Sequence, residues 1–328
     1  MALRNTTLAS VDLERQAAKS KPNYHLKPSS TFVAKAMFAI LCFFLLGCAR
    51  FAKPADLGGN GGGVPYFSQP GSVFLLAGQS NMAGRGGVVN DVWDGYVPPE
   101  CQPSATVLRL SPGLIWEAAK EPLHLGIDIN KTVGIGPGMS FAHTVLTKDP
   151  GLGVIGLVPC AAGGTNISEW GRGGHLYTRL IRRGEAAARG GATIQALLWY
   201  QGETDTVNLE DAKKYRSRLR RFFNHVRTDL ELPTLPIIQV ALATQQGPYI
   251  DEVRDAQFHV DLPNVKTVDA KGLQAGPDYL HLTTASQVQL GQMLGDAFLE
   301  RMPLRLQTSS ASRRHHSFVS GFLCRPFR

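Results

Sequence analysis

Residues 72–84 read Ser-Val-Phe-Leu-Leu-Ala-Gly-Gln-Ser-Asn-Met-Ala-Gly. The first six form an apolar run of strand length, ended by a Gly-rich turn that leads into a helix start, which is the signature of a strand buried on both faces. Four more runs of this kind follow at 153–158 (GVIGLV), 195–200 (QALLWY), 235–242 (LPIIQVAL) and 265–268. Amphipathic stretches at 137–147, 177–189, 209–230, 249–260 and 285–301 separate or follow them. Strands alternating with helices predict an α/β fold, a three-layer α/β/α sandwich around a five-stranded, mostly parallel sheet, within one domain over 71–302. No internal repeat is present. Ligands of such sheets bind beyond the carboxyl ends of the strands, so the chemistry is to be sought in the turns after them.

The 328 residues are 43% hydrophobic and 18% charged, a globular composition that excludes disorder and collagen-like structure. The net charge of +8 belongs to the ends. Residues 1–35 carry six Lys/Arg against Asp12 and Glu14, and residues 303–328 carry five Arg and no acid, which leaves the body at −1. A near-neutral body does not collect phosphate backbones, so nucleic acid is not an expected partner. Of the five cysteines, Cys42, Cys48 and Cys324 lie outside the body. Cys101 and Cys160 read as ordinary buried thiols, with a single disulfide as the alternative, and no spacing suits a metal site.

Residues 36–49 (AMFAILCFFLLGCA) run without a charge between Lys35 and Arg50. Their length suits the apolar part of a signal peptide, and Gly47 and Ala49 supply small residues for cleavage. A span stretched over 32–52 makes an uncleaved signal anchor, kept cytosolic at its N-terminus by the preceding positive charge. The expected organisation is a basic region at 1–35, a signal peptide or anchor at 36–52, a Gly/Pro-rich linker at 53–70, the domain at 71–302 and a basic disordered tail at 303–328. The implied location is the secretory pathway, with the body secreted or lumenal and membrane contact made only through the apolar segment. Asn130 and Asn166 then stand in glycosylation sequons, the latter at the mouth of the expected site.

Ser80 sits in the turn after the first strand, where its hydroxyl is exposed and a helix N-terminus supplies N–H groups, as a nucleophile requires. The bland alternative is an N-cap serine. Asp278-Tyr279-Leu280-His281 lies after the last strand. Residues three apart in a helical turn have neighbouring side chains, so Asp278 can orient His281 while the other ring nitrogen faces a hydroxyl.

Taken with GQSNMAGRG at 78–86, the segments GPGMSFA at 136–142, PCAAGGTNISEW at 159–170, WYQGETD at 199–205 and DYLHLT at 278–283 resemble the SGNH-hydrolase superfamily. The closer resemblance is to its carbohydrate-esterase branch, which includes plant enzymes related to acetylxylan esterases and shares a domain with sialate O-acetylesterases. It spans about 72–300 and implies a flavodoxin-like fold, a serine esterase acting on O-acetylated carbohydrate, and no cofactor or metal. It implies Ser80 as nucleophile, His281 as base, and Asp278 or Glu203 as the carboxylate behind it. It implies an oxyanion hole from the Ser80 N–H, the Gly163 N–H with Gly164 as competitor, and the Gln201 side chain. Gln79, Asn81, Gly164 and Trp170 are the expected substrate contacts, Trp170 as an aromatic platform for a sugar. His124, His143, His175, His225 and His259 are assigned no role. Two other readings share these residues: a polysaccharide O-acyltransferase, in which a sugar hydroxyl resolves the acyl-serine, and a catalytically silent glycan-binding module.

Overall fold

Every residue of β1 (Ser72–Gly78) is buried. In the computed structural model, which describes residues 69–244 and 246–300, this strand runs through the middle of a seven-stranded sheet. Between it and the next sheet strand stands a two-stranded hairpin of β2 (Val88–Val89) and β3 (Val92–Trp93). The sheet continues with β4 (Val107–Leu110), β5 (Trp116–Ala118), β6 (Ile155–Pro159), β7 (Thr193–Tyr200), β8 (Ile237–Ala241) and β9 (Val265–Asp269). Their order is β5-β4-β6-β1-β7-β8-β9, and only the β4–β5 pair is antiparallel.

The five strands read from apolar runs thus lie side by side in the order second, first, third, fourth, fifth, which is the flavodoxin-like winding. The expectation of five strands is corrected to seven. β4 and β5 escaped because Arg109 and the short WEA run look polar. In the fold Arg109 stands opposite Glu117 and is paired with it at 2.7 Å, so the charge is carried inside the sheet edge.

Alternation along the strands directs side chains to two helical layers. Phe74 meets Phe141 and Phe298 edge to face, each at 4.9 Å, which belong to α2 (Gly138–Lys148) and α6 (Thr284–Leu299). The next residue, Leu75, faces Gly184 on the opposite side, within α3 (His175–Ala188). Trp199, in register with Ala77 and so on the Leu75 face, packs on Phe222 and Phe223 of α4 (Leu209–Asp229), which in turn lies against α5 (Ile250–Phe258). Burying each such side chain contributes about 1.5–3 kcal/mol.

Local signals place the helix starts. Asn208 caps α4 by accepting the Glu210 N–H, and Thr283 caps α6 by accepting the Ser286 N–H. Cys101 and Cys160 are buried free thiols. The basic region, the apolar segment at 36–52, most of the linker and the tail at 303–328 lie outside the described residues. Among the described residues no helix is long and apolar enough to cross a membrane.

Candidate active site

β1 pairs with β7 through its last residue, Gly78. There φ is +131° and an added Cβ would fall 2.0 Å from the Tyr200 carbonyl oxygen, so only glycine lets the chain leave the sheet at this point. Two residues later it enters α1 (Ser80–Ala83), a single buried turn. The residue at the cap position is Gln79, without a side-chain cap. The Ser80 hydroxyl is thereby left free of a capping duty, and Oγ lies 2.9 Å from His281 Nε2 across 201 residues.

His281 is carried by the loop between β9 and α6. Tyr279 adopts φ +54°, which breaks any helical turn, so Asp278 and His281 meet through a tight loop rather than the expected helix face. Asp278 Oδ1 accepts the N–H groups of Leu280 at 3.0 Å and His281 at 2.9 Å, and Oδ2 lies 2.6 Å from His281 Nδ1. Partial burial works against its charge, but these two N–H groups and the imidazole outweigh it and hold the carboxyl below the usual Asp range. A carboxylate only accepts, so Nδ1 carries the proton and Nε2 presents its lone pair to the Ser80 hydroxyl.

Of the two carboxylates weighed for His281, Asp278 is the one in contact. Glu203 instead accepts Asn81 Nδ2 at 2.7 Å through Oε1. Burial pushes its carboxyl up to about 7, the Asn81 bond opposing and the nearby Asp205 charge adding to the shift. Asn81 is fully buried, which corrects its expected place among substrate contacts. Its Oδ1 accepts the Leu282 N–H at 2.9 Å and its Nδ2 also donates to the Leu280 carbonyl at 3.2 Å.

Gln201 departs from expectation as well. Its Nε2 donates to Asp205 Oδ2 at 2.7 Å, Thr165 O at 2.9 Å and Gln79 Oε1 at 3.1 Å, and the residue is 0% exposed. Asp205 is a buried carboxylate, pushed up to about 6 mainly by burial, and it draws the amide inward, away from any oxyanion. The consequence falls on Gln79. Its Oε1 also accepts the N–H groups of Gly202 at 3.3 Å and Thr204 at 3.4 Å, and donors of that kind fix the amide with oxygen inside and Nε2 turned outward.

Trp170 is 0% exposed, donates Nε1 to Thr165 Oγ1 at 3.1 Å and packs edge-on against Trp199 at 5.2 Å. It is a core residue, not a sugar platform. Asn166 caps its own short turn by accepting the N–H groups of Ser168 and Glu169, whereas Asn130 is exposed. Gly163 lies against the Ser80 side chain, but its N–H is given to Asp128 Oδ1 at 3.1 Å. Asp128 is itself paired with Arg85 at 2.6 Å, both nearly buried. Sequence reasoning missed this pair. Its only trace was the Arg within the Ser80 motif, a single charge with no spacing to tie it to Asp128.

Gln79, Ser80, Gly163, Gly164, Lys131 and His281 line a cleft of about 340 Å³, of the size that holds a small ligand. A larger groove of about 530 Å³ opens beside Asp278 and His281 along β2, but Ser80 is not among its lining residues. The Ser80 hydroxyl belongs to the smaller space.

A family model described as carbohydrate esterase, sialic acid-specific acetylesterase, matches residues 70–300. A probable carbohydrate esterase from Arabidopsis thaliana is 53% identical over 237 residues, covering 70% of this chain and 91% of that protein. An X-ray structure of a protein from Arabidopsis thaliana, 52% identical, superposes with a TM-score of 0.69 over 71% of this chain and 100% of the other. The crystal structure of NanS, at 17% identity and a TM-score of 0.56 over 71% of this chain and 98% of its own, shares the fold.

Proposed function

The chain belongs to the carbohydrate esterase family of sialic acid-specific acetylesterases and is a carboxylic ester hydrolase, and on that premise we propose that it removes O-acetyl groups from carbohydrate through an acyl-serine intermediate. The run of short contacts Ser80 Oγ, His281 and Asp278, at 2.9 and 2.6 Å, carries this reading.

His281 Nε2 takes the Ser80 proton as Oγ bonds to the acetyl carbonyl carbon, and the carbonyl pair moves onto oxygen. The resulting imidazolium lies against Asp278 and gives its proton to the departing sugar oxygen as the ester bond breaks. Water, deprotonated by the same Nε2, then attacks the acetyl-Ser80 carbonyl, and Ser80 leaves with that proton as acetate is freed. The oxyanion is met by the Ser80 N–H, which has no acceptor among the described residues, and by Gln79 Nε2 in place of Gln201. The Gly163 N–H reaches an oxyanion only when the Asp128 carboxylate yields it. Gly164, with open space around its Cα, and exposed Lys131 stand where the sugar enters.

The test is acetate release from acetylated xylan by the purified full chain. Ser80→Ala is expected to lose about 10⁴-fold or more in turnover; near-wild-type release by that variant overturns the mechanism, and acetylated product on an added acceptor sugar in place of free acetate would make the chain an acyltransferase. We further propose that the apolar segment at 36–49 directs the domain into the secretory pathway. Microsomes made with the full chain should shield the domain from added protease, and complete digestion in sealed vesicles refutes this.

A further inference from the structure

Ser80 and His281 follow β1 and β9, which are not neighbours: β7 and β8 lie between them. At about 4.8 Å per strand the roots of the two loops stand some 14 Å apart, so the sheet alone does not bring the hydroxyl to the imidazole. We propose that Asn81, seated by Glu203, is the positioning residue that holds His281 against Ser80; this rests on the serine mechanism above and deepens it.

Asn81 is bonded covalently to Ser80 and by hydrogen bonds to both chain neighbours of His281. Oδ1 takes the Leu282 N–H and one Nδ2 hydrogen goes to the Leu280 carbonyl. The second Nδ2 hydrogen goes to Glu203 Oε1 at 2.7 Å, and Gln287 Nε2 donates to the Asn81 carbonyl at 3.1 Å. The amide has one orientation only. Reversed, its NH₂ would confront the Leu282 N–H while its oxygen confronted the Leu280 carbonyl and the Glu203 carboxylate. Asn81 and Gln287 are 0% exposed and Glu203 4%, so none of these bonds is exchanged for water without cost. Thr244 Oγ1 and Gln246 Nε2 hold the Tyr279 and Asp278 carbonyls from the β8 side, which secures the outer half of the same loop. The inner half depends on Asn81.

Glu203 serves in this arrangement as a hydrogen-bond acceptor acting through Asn81, not as a charge acting on the imidazole. The two roles separate experimentally. In the full chain hydrolysing acetylated xylan, Asn81→Ala and Glu203→Ala should each lower kcat by about 10²-fold with KM within about threefold, because misplacement of a reacting group by about 1 Å costs that much. Glu203→Gln keeps an acceptor for Asn81 Nδ2 and should return to within about fivefold of wild type, and the Asn81→Ala/Glu203→Ala double variant should lose no more than Asn81→Ala alone. Labelling of Ser80 by a fluorophosphonate should slow in parallel with kcat. The proposal is overturned if Glu203→Gln is as damaged as Glu203→Ala, if the two single losses multiply, or if KM alone moves. Should Asn81→Ala not fold, the Glu203→Gln and Glu203→Ala pair still decides it through kcat and labelling rate. An active Ser80→Ala protein would instead remove the underlying mechanism, whatever these variants did.

Discussion

The turn that carries Ser80 and the loop that carries His281 meet at 2.9 Å, yet they are built in opposite ways. β1 is buried throughout and flanked on both sides by parallel partners, and Ser80 itself is 4% exposed. β9 is the edge of the sheet with only Val268 buried, and beyond it the Asp278 and His281 side chains remain 48% and 25% exposed. Ser80 inherits its position from the packed core. His281 receives its position from hydrogen bonds laid across the cleft. Changes on the core side should therefore register as stability, and changes on the loop side as turnover with the fold intact.

Asp278→Asn tests the loop side most severely. It removes the acceptor that keeps the proton on Nδ1, and loss of the correct tautomer is worth about 10⁴-fold where the carboxylate is buried. Asp278 is half-exposed, and water can replace part of its bond, so about 10³-fold in kcat is expected, with the melting temperature near that of wild type. A variant that melts far below wild type would break the contrast, because the loop would then be part of what the core depends on.

The two amides near Ser80 sharpen the comparison. Gln79→Ala removes a donor turned toward the cleft and should cost about 10²–10³ in kcat. Gln201→Ala removes a buried partner of Asp205, Thr165 and Gln79, and it should lower the melting temperature as well as turnover. If Gln201→Ala loses turnover with an unchanged melting temperature, Gln201 rather than Gln79 faces the oxyanion.

What was legible in the sequence follows the same division. Strands buried on both faces must be continuous apolar runs, so β1, β6, β7 and β8 were readable, while the edge strand β9 was read from its length and its bounding turns, and the order of motifs along the strands placed Ser80 and His281 at one end of the sheet. β4 was not readable, because a buried arginine neutralised by Glu117 of the neighbouring edge strand looks like a break. Trp170 was misread because nearness to a motif in the chain says nothing of the direction of a ring. Thr165 Oγ1 satisfies its N–H inside the core, so nothing draws it toward solvent. The choice between Gln79 and Gln201 was equally hidden, since it is made by where Asp205 is buried. Asn81 had no signal for its bonds at all, with partners 122, 199 and 201 residues away. Motifs report which groups are present. Their orientation is set by long-range hydrogen bonds that leave no periodic trace.

The smallest effect expected is one of pH, and it sets the two sides against each other once more. Asp278, in the loop, is held below the ordinary Asp range, so its contribution is present at neutral pH and is lost as pH falls through its lowered value. Glu203, on the buried side, moves the other way, from an ordinary 4.5 up to about 7, chiefly through burial. Between those two values the folded chain keeps a proton on Glu203 that the unfolded chain has already released. Unfolding therefore gives up that proton, and stability falls as pH rises through the window before levelling off above it. Asp205 and Glu121, pushed up mainly by burial to about 6 and 8, tilt the wild-type curve in the same direction, so the informative quantity is a difference between two proteins. Glu203→Gln has no proton to lose at this position. Its melting temperature relative to wild type, followed by circular dichroism at pH 5, 6, 7 and 8.5, should climb across the first three values and flatten at the last. A difference that does not change with pH would mean that water reaches Glu203, and the division between a core-built Ser80 and a loop-built His281 would not extend to the charges behind them.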